Sequence, residues 1–434
     1  MRLKRQFDRC DDCTRRDFVA GAAKGLLGLS AMPWLTRLAA AAEEAAIPLG
    51  PATARNVIYL YMAGGMSHLD TFDTKPGAAT QGPTEAIGTS ADGVRVSQHF
   101  PLLARRMDRV AVINSMNSTQ GAHEQGRYFM HTGYMLRGTI QHPSMGAWLE
   151  RMRGRLNPTL PGHVVVGGGA GTASRGFFDA SMMPLPIGDP TAGLSNSRRA
   201  EGVSEQRFED RIHRLEKMNA GFRERYDGKA LDDYAKIYEQ AVKLMSSSDL
   251  AAFDIAQEPA AVRDAYGDDR FGQGCLLARR LVERGVRFVE VVSGGWDTHS
   301  ENFEQMEDLC PPVDRALSSL LADLDARGLL DETLVVLTTE FGRSPDISQD
   351  RANGRNHYPK AFSALMAGGG VRGGRTYGRT DAEGREIVES PVTVPDFNAT
   401  IAHALGLPLE HKIFSPSGRP FTVADKGTPV LALF

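Results

Sequence analysis

The stretch VRFVEVVSGGWDTH, residues 286–299, decides the fold. Its first part, Val286–Val292, predicts a buried β-strand, because a largely continuous apolar run is typical of a parallel strand that is covered on both faces. Asp297 and His299 follow two residues apart, so in an extended segment both side chains face the same way. A buried strand that ends in paired polar side chains indicates an α/β sheet whose ligands bind beyond the carboxyl ends of its strands.

Five other short runs rich in Val, Ile and Leu predict strands of the same kind. They are Val57–Met62, Val110–Asn114, His163–Val166, Thr333–Thr338 and Phe362–Ala367. Helical patterns lie between these runs, and this alternation predicts an α/β fold with a mostly parallel sheet and helices on both faces.

The clearest helical pattern is Pro312–Arg327, where apolar residues recur at helical spacing before Gly328 ends the pattern. Further helices are predicted over Ser144–Arg153, over Gly274–Glu283, and from Asp396, as the N-cap, to Leu405. The stretch from about residue 197 to 256 breaks the alternation, because it is strongly charged and poor in strand signals. We interpret it as a helical insertion packed on the sheet domain.

The first 42 residues have the features of a twin-arginine signal peptide. Basic residues precede an Arg15-Arg16 pair with Phe18 two residues later, and a weakly apolar stretch then leads to an alanine run that offers a cleavage site near Ala42. A disordered basic tail before a surface helix is the alternative interpretation. We expect residues 43–434 to form a periplasmic or secreted domain that is exported by the twin-arginine machinery.

Composition limits the partners of residues 43–434. They hold 42 basic and 49 acidic side chains, a net charge of −7, which gives no argument for nucleic-acid binding. No segment after the signal is apolar enough to span a membrane. Cys275 and Cys310 are too few for a disulfide framework, so either one bridge or two buried thiols are expected.

Polar clusters lie next to five of the six predicted strands, at positions that a mostly parallel sheet brings to one edge. They contain Ser67, His68 and Asp70; Ser115 and His123; Asp297 and His299; Glu340 and Arg343; and His357. Carboxylates and imidazoles together suit a divalent ion, with zinc as the first expectation and manganese or calcium as alternatives. The structural alternatives are that a lone histidine is a satisfied core or surface residue, and that Arg343 is only a partner of Glu340.

The same clusters carry a resemblance to a known family. The strings GGMSHLDTFD (64–73), WDTH (296–299), EFGRSP (340–345), GRNHYP (354–359) and AGGGVRGG (367–374) resemble the bacterial domain of unknown function 1501. The resemblance covers about residues 56–407. It implies a protein that is exported, often by the twin-arginine route, with an alkaline-phosphatase-like fold.

The resemblance also implies a metal-binding plan. In the wider superfamily an aspartate and two histidines hold one metal, and here Asp297 and His299 resemble the early pair and His357 the late histidine. Glu340 stands where the superfamily has an Asp-His pair, and Asp70 is the candidate to replace the aspartate that the first strand delivers. These five residues are the predicted metal ligands.

The nucleophile departs from the superfamily pattern. Thr132-Gly133 resembles the dipeptide that follows the nucleophile segment, which puts the nucleophile position near His123, with Ser115, Ser118 and Thr119 upstream. Ser67 is a further candidate after the first strand. The signature Cys/Ser-x-Pro-x-Arg is absent from the whole sequence, which argues against a sulfatase of the formylglycine type.

Two functions from different classes follow. The first is a metal-dependent hydrolase of phosphate, sulfate or related esters, whose substrate is a small molecule or a glycan, with Arg343 neutralising the developing negative charge. The second is a degenerate, non-catalytic member that binds an anionic glycan or a protein partner. A phosphomutase is a weaker third candidate, because it needs a nucleophilic hydroxyl at the position where none is found.

Overall fold

The computed structural model describes residues 47–168, 173–197, 199–223 and 229–434. The predicted signal peptide lies outside the described residues, so its role stays a prediction. Residues Leu49–Phe434 form one compact unit.

The strands are numbered in chain order. They are β1 Asn56–Met62, β2 Ala86–Gly88, β3 Arg95–Ser97, β4 Val110–Asn117, β5 His163–Val166, β6 Leu185–Ile187, β7 Phe288–Ser293, β8 Thr333–Thr338, β9 Gly342–Arg343, β10 His357–Tyr358, β11 Phe362–Ala367, β12 Arg375–Tyr377, β13 Arg379–Thr380, β14 Ile387–Glu389, β15 Val392–Thr393, β16 Ile413–Phe414 and β17 Pro420–Phe421.

The α-helices are numbered in the same way. They are α1 His123–Thr132, α2 Met145–Arg153, α3 Glu205–Arg223, α4 Lys229–Met245, α5 Ala260–Tyr266, α6 Arg270–Glu283, α7 Asn302–Ala326 and α8 Val394–Ala404. Short 3₁₀ helices cover Leu103–Arg109, Ala180–Met182, Ser248–Phe253, Ile255–Gln257, Leu330–Glu332, Gln349–Arg351, Val423–Lys426 and Leu431–Leu433.

The main sheet has the strand order β12-β4-β11-β8-β1-β7-β5-β6, with β15 also paired to β4. Strand β1 is central and pairs in parallel with β7 on one side and β8 on the other. Only β11 runs against its neighbours, since it pairs antiparallel with both β4 and β8. The predicted α/β fold with a mostly parallel sheet is confirmed.

Helices cover both faces of this sheet. Ile58 and Leu60 of β1 pack in one buried cluster with Leu277 of α6. Tyr61, next to Leu60, points the other way and packs edge-on against His131 of α1, with ring centroids 4.6 Å apart. Because neighbouring residues of a strand face opposite sides, α6 and α1 lie on opposite faces.

The predicted strands and helices differ from the structure mainly at their ends. Helix α7 begins at Asn302, ten residues before the predicted start, and continues through Pro311 and Pro312. The prediction that Asp396 is an N-cap is wrong: Thr393 caps α8, and Asp396 completes a capping box three residues later.

Two further predictions concern the helical insertion and the two cysteines. Between residues 197 and 256 the described residues form helices, including α3 and α4, and no strand. Cys275 and Cys310 are buried free thiols, so of the two expected alternatives the structure shows the pair of buried thiols and no bridge. Among the residues described, none of the helices is long and apolar enough to cross a membrane.

Candidate metal centre

The reversed direction of β11 explains how five clusters meet at one edge. The carboxyl ends of β1, β4, β7 and β8 lie at this edge, and the amino end of β11 lies there too because that strand is antiparallel. A short ladder between β9 and β10 pairs Arg343 with His357, which fixes His357 beside the segment that leaves β8. The cluster before β11 therefore joins the clusters that follow the parallel strands.

Three imidazoles gather around the carboxylate of Asp297. Its Oδ1 lies 3.2 Å from Nε2 of His299 and 3.2 Å from Nε2 of His357, and these two nitrogens are 3.0 Å apart. Its Oδ2 lies 3.3 Å from Nε2 of His123. The possible ligand atoms of His123, Asp297 and His357 all lie within 4.8 Å of one another, close enough to surround one ion.

Hydrogen bonds fix the proton on two of these rings. Nδ1 of His357 lies 2.8 Å from the carbonyl oxygen of Gly121, and Nδ1 of His123 lies 2.9 Å from Oε1 of Glu340. Both oxygens accept, so in the neutral rings each Nδ1 carries the proton and each Nε2 presents a lone pair to Asp297. Nε2 of His123 is buried, and its approach to Asp297 lacks hydrogen-bond geometry. A cation between these acceptors would remove their repulsion.

The charges at the site favour a cation. Burial raises the pKa of Asp297, but the hydrogen bond and the charge of Arg343 outweigh it and lower that pKa to about 2, so the carboxylate is ionised at neutral pH. Burial and the charge of Arg343 lower the pKa of His299 below its ordinary value, which favours a neutral ring. The hydrogen bond to Glu340 raises the pKa of His123, so a metal would displace a proton from that ring; the anionic carboxylate and neutral imidazoles that result are the ligand set that zinc prefers.

Glu340 lies behind His123 and is fully buried. Its Oε1 also accepts from the amide of Gly64 at 2.9 Å, and its Oε2 accepts from the hydroxyl of Tyr61 at 2.8 Å. Burial raises its pKa, but these hydrogen bonds, with that of His123 foremost, hold the pKa below its ordinary value. Glu340 therefore stands as the carboxylate that orients a histidine, a common supporting role in metal sites, rather than at the predicted ligand position.

Glycines at two positions let the segments of the site approach each other. Gly64 has a φ of 127°, and a Cβ atom there would lie 2.5 Å from the backbone nitrogen of Asp297. On α1, a Cβ atom at Gly126 would lie 3.2 Å from side-chain atoms of both Glu340 and Phe341. Any larger residue at Gly64 would push β1 away from the segment that carries Asp297.

Arg343 is placed differently from its predicted role at the substrate. Its side chain is fully buried, and its guanidinium donates to Oδ1 of Asp297 and to the carbonyl oxygens of Gly64, Gly65 and Arg355. Arg343 thus holds Asp297 from inside the protein. The alternative pairing with Glu340 is not formed either.

Asp70 and Ser67 lie outside the imidazole cluster. The carboxylate of Asp70 forms a buried salt bridge with Arg355 at 2.8 Å and also accepts from Thr84 and Asn302. The hydroxyl of Ser67 donates to the same carboxylate at 2.5 Å. This arrangement ties the segment after β1 to the loop before β10, and it explains a buried Asp70 without a metal.

The hydroxyls of the other candidate nucleophiles, and the ring of His68, form hydrogen bonds away from the imidazole cluster. The hydroxyl of Ser115 donates to the carbonyl oxygen of Ser390 at 2.7 Å, and that of Thr119 accepts from Gln120. Nε2 of His68 lies 2.9 Å from the carbonyl oxygen of Gly384. The structure therefore brings together Asp297, His299, His357 and His123, and it does not bring these hydroxyls to them.

The sequence analysis assigned no role to two residues of the site. Phe341 packs its ring against His357 and His123, with centroids 4.5 and 5.2 Å away, and forms an apolar wall. Arg127 lies one helical turn after His123 on α1, half-buried and without a hydrogen bond or ion pair to any residue that the structure describes. The spacing of four from His123 was the available signal for Arg127, but the lack of a partner is visible only in three dimensions.

Comparison with known protein families identifies one that this chain matches. The sequence model described as "Protein of unknown function (DUF1501)" matches residues 54–434. No curated protein matches the chain.

Several solved structures are similar to this chain at low identity. The PsFucS1 sulfatase from Pseudoalteromonas sp. is 14% identical, with 81% of this chain and 68% of that chain covered and a TM-score of 0.39. The phosphonate monoester hydrolase SpPMH from Silicibacter pomeroyi is 12% identical, with 87% and 76% covered and a TM-score of 0.35. A protein in the alkaline phosphatase superfamily from Vibrio parahaemolyticus is 11% identical, with 89% and 75% covered and a TM-score of 0.40. All three are distant likenesses.

Proposed function

The chain belongs to the family described as protein of unknown function, DUF1501, as its sequence strings predicted, and from its own site we propose that it is a metal-dependent hydrolase of phosphate, sulfate or related esters. The observation that carries the proposal is the set of three imidazole Nε2 atoms around the ionised carboxylate of Asp297. In the neutral rings these acceptor atoms face one another, which is costly unless a metal ion or a proton lies between them.

The residues that hold the ion in this proposal are Asp297, His357, His123 and His299. Zinc fits a set of imidazoles with one carboxylate best, whereas manganese and calcium prefer more oxygen ligands. A bound divalent ion polarises an ester oxygen and lowers the pKa of a bound water. The Asp297 side chain is 48% exposed, so a substrate can reach the centre from solvent.

Supporting residues orient this set. Glu340 holds the Nδ1 proton of His123, and the carbonyl oxygen of Gly121 holds that of His357. Arg343 keeps Asp297 ionised from the buried side. These contacts fix ring orientation before a ligand binds, which is how a site limits reorganisation during the reaction.

Activity is the direct test of this proposal. A panel of aryl and sugar phosphate and sulfate esters is incubated with the chain, with and without added zinc, manganese or calcium. We expect zinc-dependent turnover of at least one anionic ester and its loss in His357→Ala, while His213→Ala, an exposed histidine on α3, retains it. Turnover that is unchanged in His357→Ala argues against this centre.

One observation favours the second candidate function, a non-catalytic binding protein. Ser67 and Ser115, the predicted nucleophiles, hydrogen-bond away from the centre. In this alternative the centre binds an anionic glycan or a protein partner without turnover. Tight glycan binding together with no turnover across the whole ester panel would favour it.

We further propose export by the twin-arginine route. The support is the order of the Arg15-Arg16 pair, the apolar stretch and the alanine run that ends near Ala42. Residues 1–42 fused to a folded reporter should direct it out of the cytoplasm. Retention of the reporter, or export that survives replacement of both arginines by lysine, would contradict this route.

A further inference from the structure

Helix α1 presents three basic side chains on one face. His123, Arg127 and His131 follow one another at intervals of four residues, which places them on the same side of a helix. His123 is part of the imidazole cluster, and His131 forms a buried pair with Glu290 of β7 at 2.9 Å. Arg127 therefore lies between the metal centre and a buried ion pair.

Arg127 lacks the partners that the fold gives its fully buried arginines. Arg279 pairs with three carboxylates, and Arg343 and Arg355 each donate to a carboxylate and to backbone carbonyls. In Arg127 the Nε atom is buried without a hydrogen bond, and no hydrogen bond or ion pair joins its guanidinium to another of the residues described. A buried Nε without an acceptor is costly, and an external anion that reaches this guanidinium would supply the acceptor.

The neighbours of Arg127 place it at the edge of the candidate centre. The hydroxyl of Tyr61 donates to Glu340, which in turn holds His123. Burial, and then Glu340, raise the pKa of Tyr61, and the nearby guanidinium of Arg127 opposes that rise. Glu340 does not pair with Arg127; it accepts instead from His123, Tyr61 and the amide of Gly64.

We propose that Arg127 binds the tetrahedral oxyanion, phosphate or sulfate, of the substrate; this rests on the proposed function of the adjacent centre. The planar guanidinium can donate two parallel hydrogen bonds to two oxygens of such an anion. The amides of the first turn of α1 have no side-chain cap at Ala122, so they add donors at the same end of the helix. The ester would thus be bound by its anionic group, with its variable part left outside this contact.

Calorimetric titration of the full chain with inorganic phosphate, and separately with sulfate, tests whether Arg127 binds the anion. The samples are wild type, Arg127→Met, Arg127→Lys, and the control Arg137→Met, which removes an exposed arginine just after the same helix. We expect Arg127→Met to weaken binding of at least one of the two anions by about tenfold or more, as for a lost charge-assisted hydrogen bond. Arg127→Lys should fall between the wild type and Arg127→Met, and Arg137→Met should match the wild type.

The metal content of every sample separates the two proposals. Equal metal content with weaker anion binding in Arg127→Met supports the role of Arg127. Anion binding that depends on Arg127 in a protein that takes up no zinc keeps the anion site and removes the metal centre. Equal anion affinity in wild type and Arg127→Met, or no binding of either anion by wild type with or without zinc, overturns the proposal for Arg127.

Discussion

Replacing Glu340 by glutamine should weaken metal binding while leaving the fold intact. Glutamine keeps the size of the side chain, and its amide oxygen can still accept from Nδ1 of His123 and from the amide of Gly64. In the wild type both nitrogens lie 2.9 Å from Oε1 of Glu340. The hydroxyl of Tyr61 can turn to accept from the new amide group. The main loss is therefore the negative charge behind His123.

The magnitude follows from the hydrogen bond that changes. A hydrogen bond to a charged group contributes about 1.5–3 kcal/mol and a neutral one about 0.5–1.5 kcal/mol, so the His123 contact weakens by roughly 1–1.5 kcal/mol. That is about a tenfold loss of zinc affinity. It lies at the lower end of the roughly 10–100-fold effect of removing a carboxylate that orients a metal-binding histidine.

Competition against a chromophoric zinc chelator measures this loss. Tyr61→Phe is the matched control, because it removes a donor from the other oxygen of Glu340 and leaves the His123 contact in place; we expect a loss of about threefold or less. In a His123→Ala background, Glu340→Gln should have little further effect, since the two residues act on one ligand. Zinc affinity in Glu340→Gln equal to that of wild type, or an equal loss in both backgrounds, would refute this reasoning.

Three further predictions concern stability. Asp70→Asn leaves the buried charge of Arg355 uncompensated and should lower the free energy of unfolding in urea by about 3–5 kcal/mol without changing metal content; loss of metal without destabilisation would instead make Asp70 a ligand. In the folded protein the pKa of His131 lies above its ordinary value, because Glu290 outweighs burial, so the stabilisation is present below pH 6.5 and is lost as the pH rises through the raised pKa. The difference in unfolding free energy between wild type and Glu290→Gln should therefore shrink as the pH rises from 6 to about 9, and a constant difference contradicts the pairing. Gly64→Ala should lower the thermal unfolding temperature and the zinc affinity together, because its Cβ atom meets the backbone of Asp297; an unchanged affinity would show that this close approach is not needed.

The strands were predictable because a buried strand is a continuous run of apolar residues in the sequence. His163–Val166, Thr333–Thr338 and Phe362–Ala367 have the bounds that the apolar runs predict. The direction of Phe362–Ala367 was not predictable, because side-chain burial is the same for a parallel and an antiparallel strand. The start of α7 was missed because Pro311 and Pro312 resemble a helix start, whereas the structure holds them within the helix.

The site was predictable only where the strands alone position it. Asp297, His299 and His357 adjoin strands at one edge, so topology brings them together. Ser67 and Asp70 adjoin the same edge. However, Asp70 pairs with the buried charge of Arg355 and Ser67 donates to Asp70, so both residues belong to a separate network. Pairing of charges between distant segments leaves no periodic signal in a sequence. The lack of a partner at Arg127 also depends on which distant segments lie near it, so the sequence could not reveal it.

Elemental analysis of the purified chain after zinc supply and removal of excess metal tests the central claim most directly. It compares wild type with His123→Ala and His357→Ala, and with His213→Ala as a control from the exposed face of α3. Wild type and His213→Ala should retain a stoichiometric divalent ion, and the two variants of the centre should lose it. A wild-type chain that retains no metal, or two site variants that retain as much metal as the control, would contradict the metal centre.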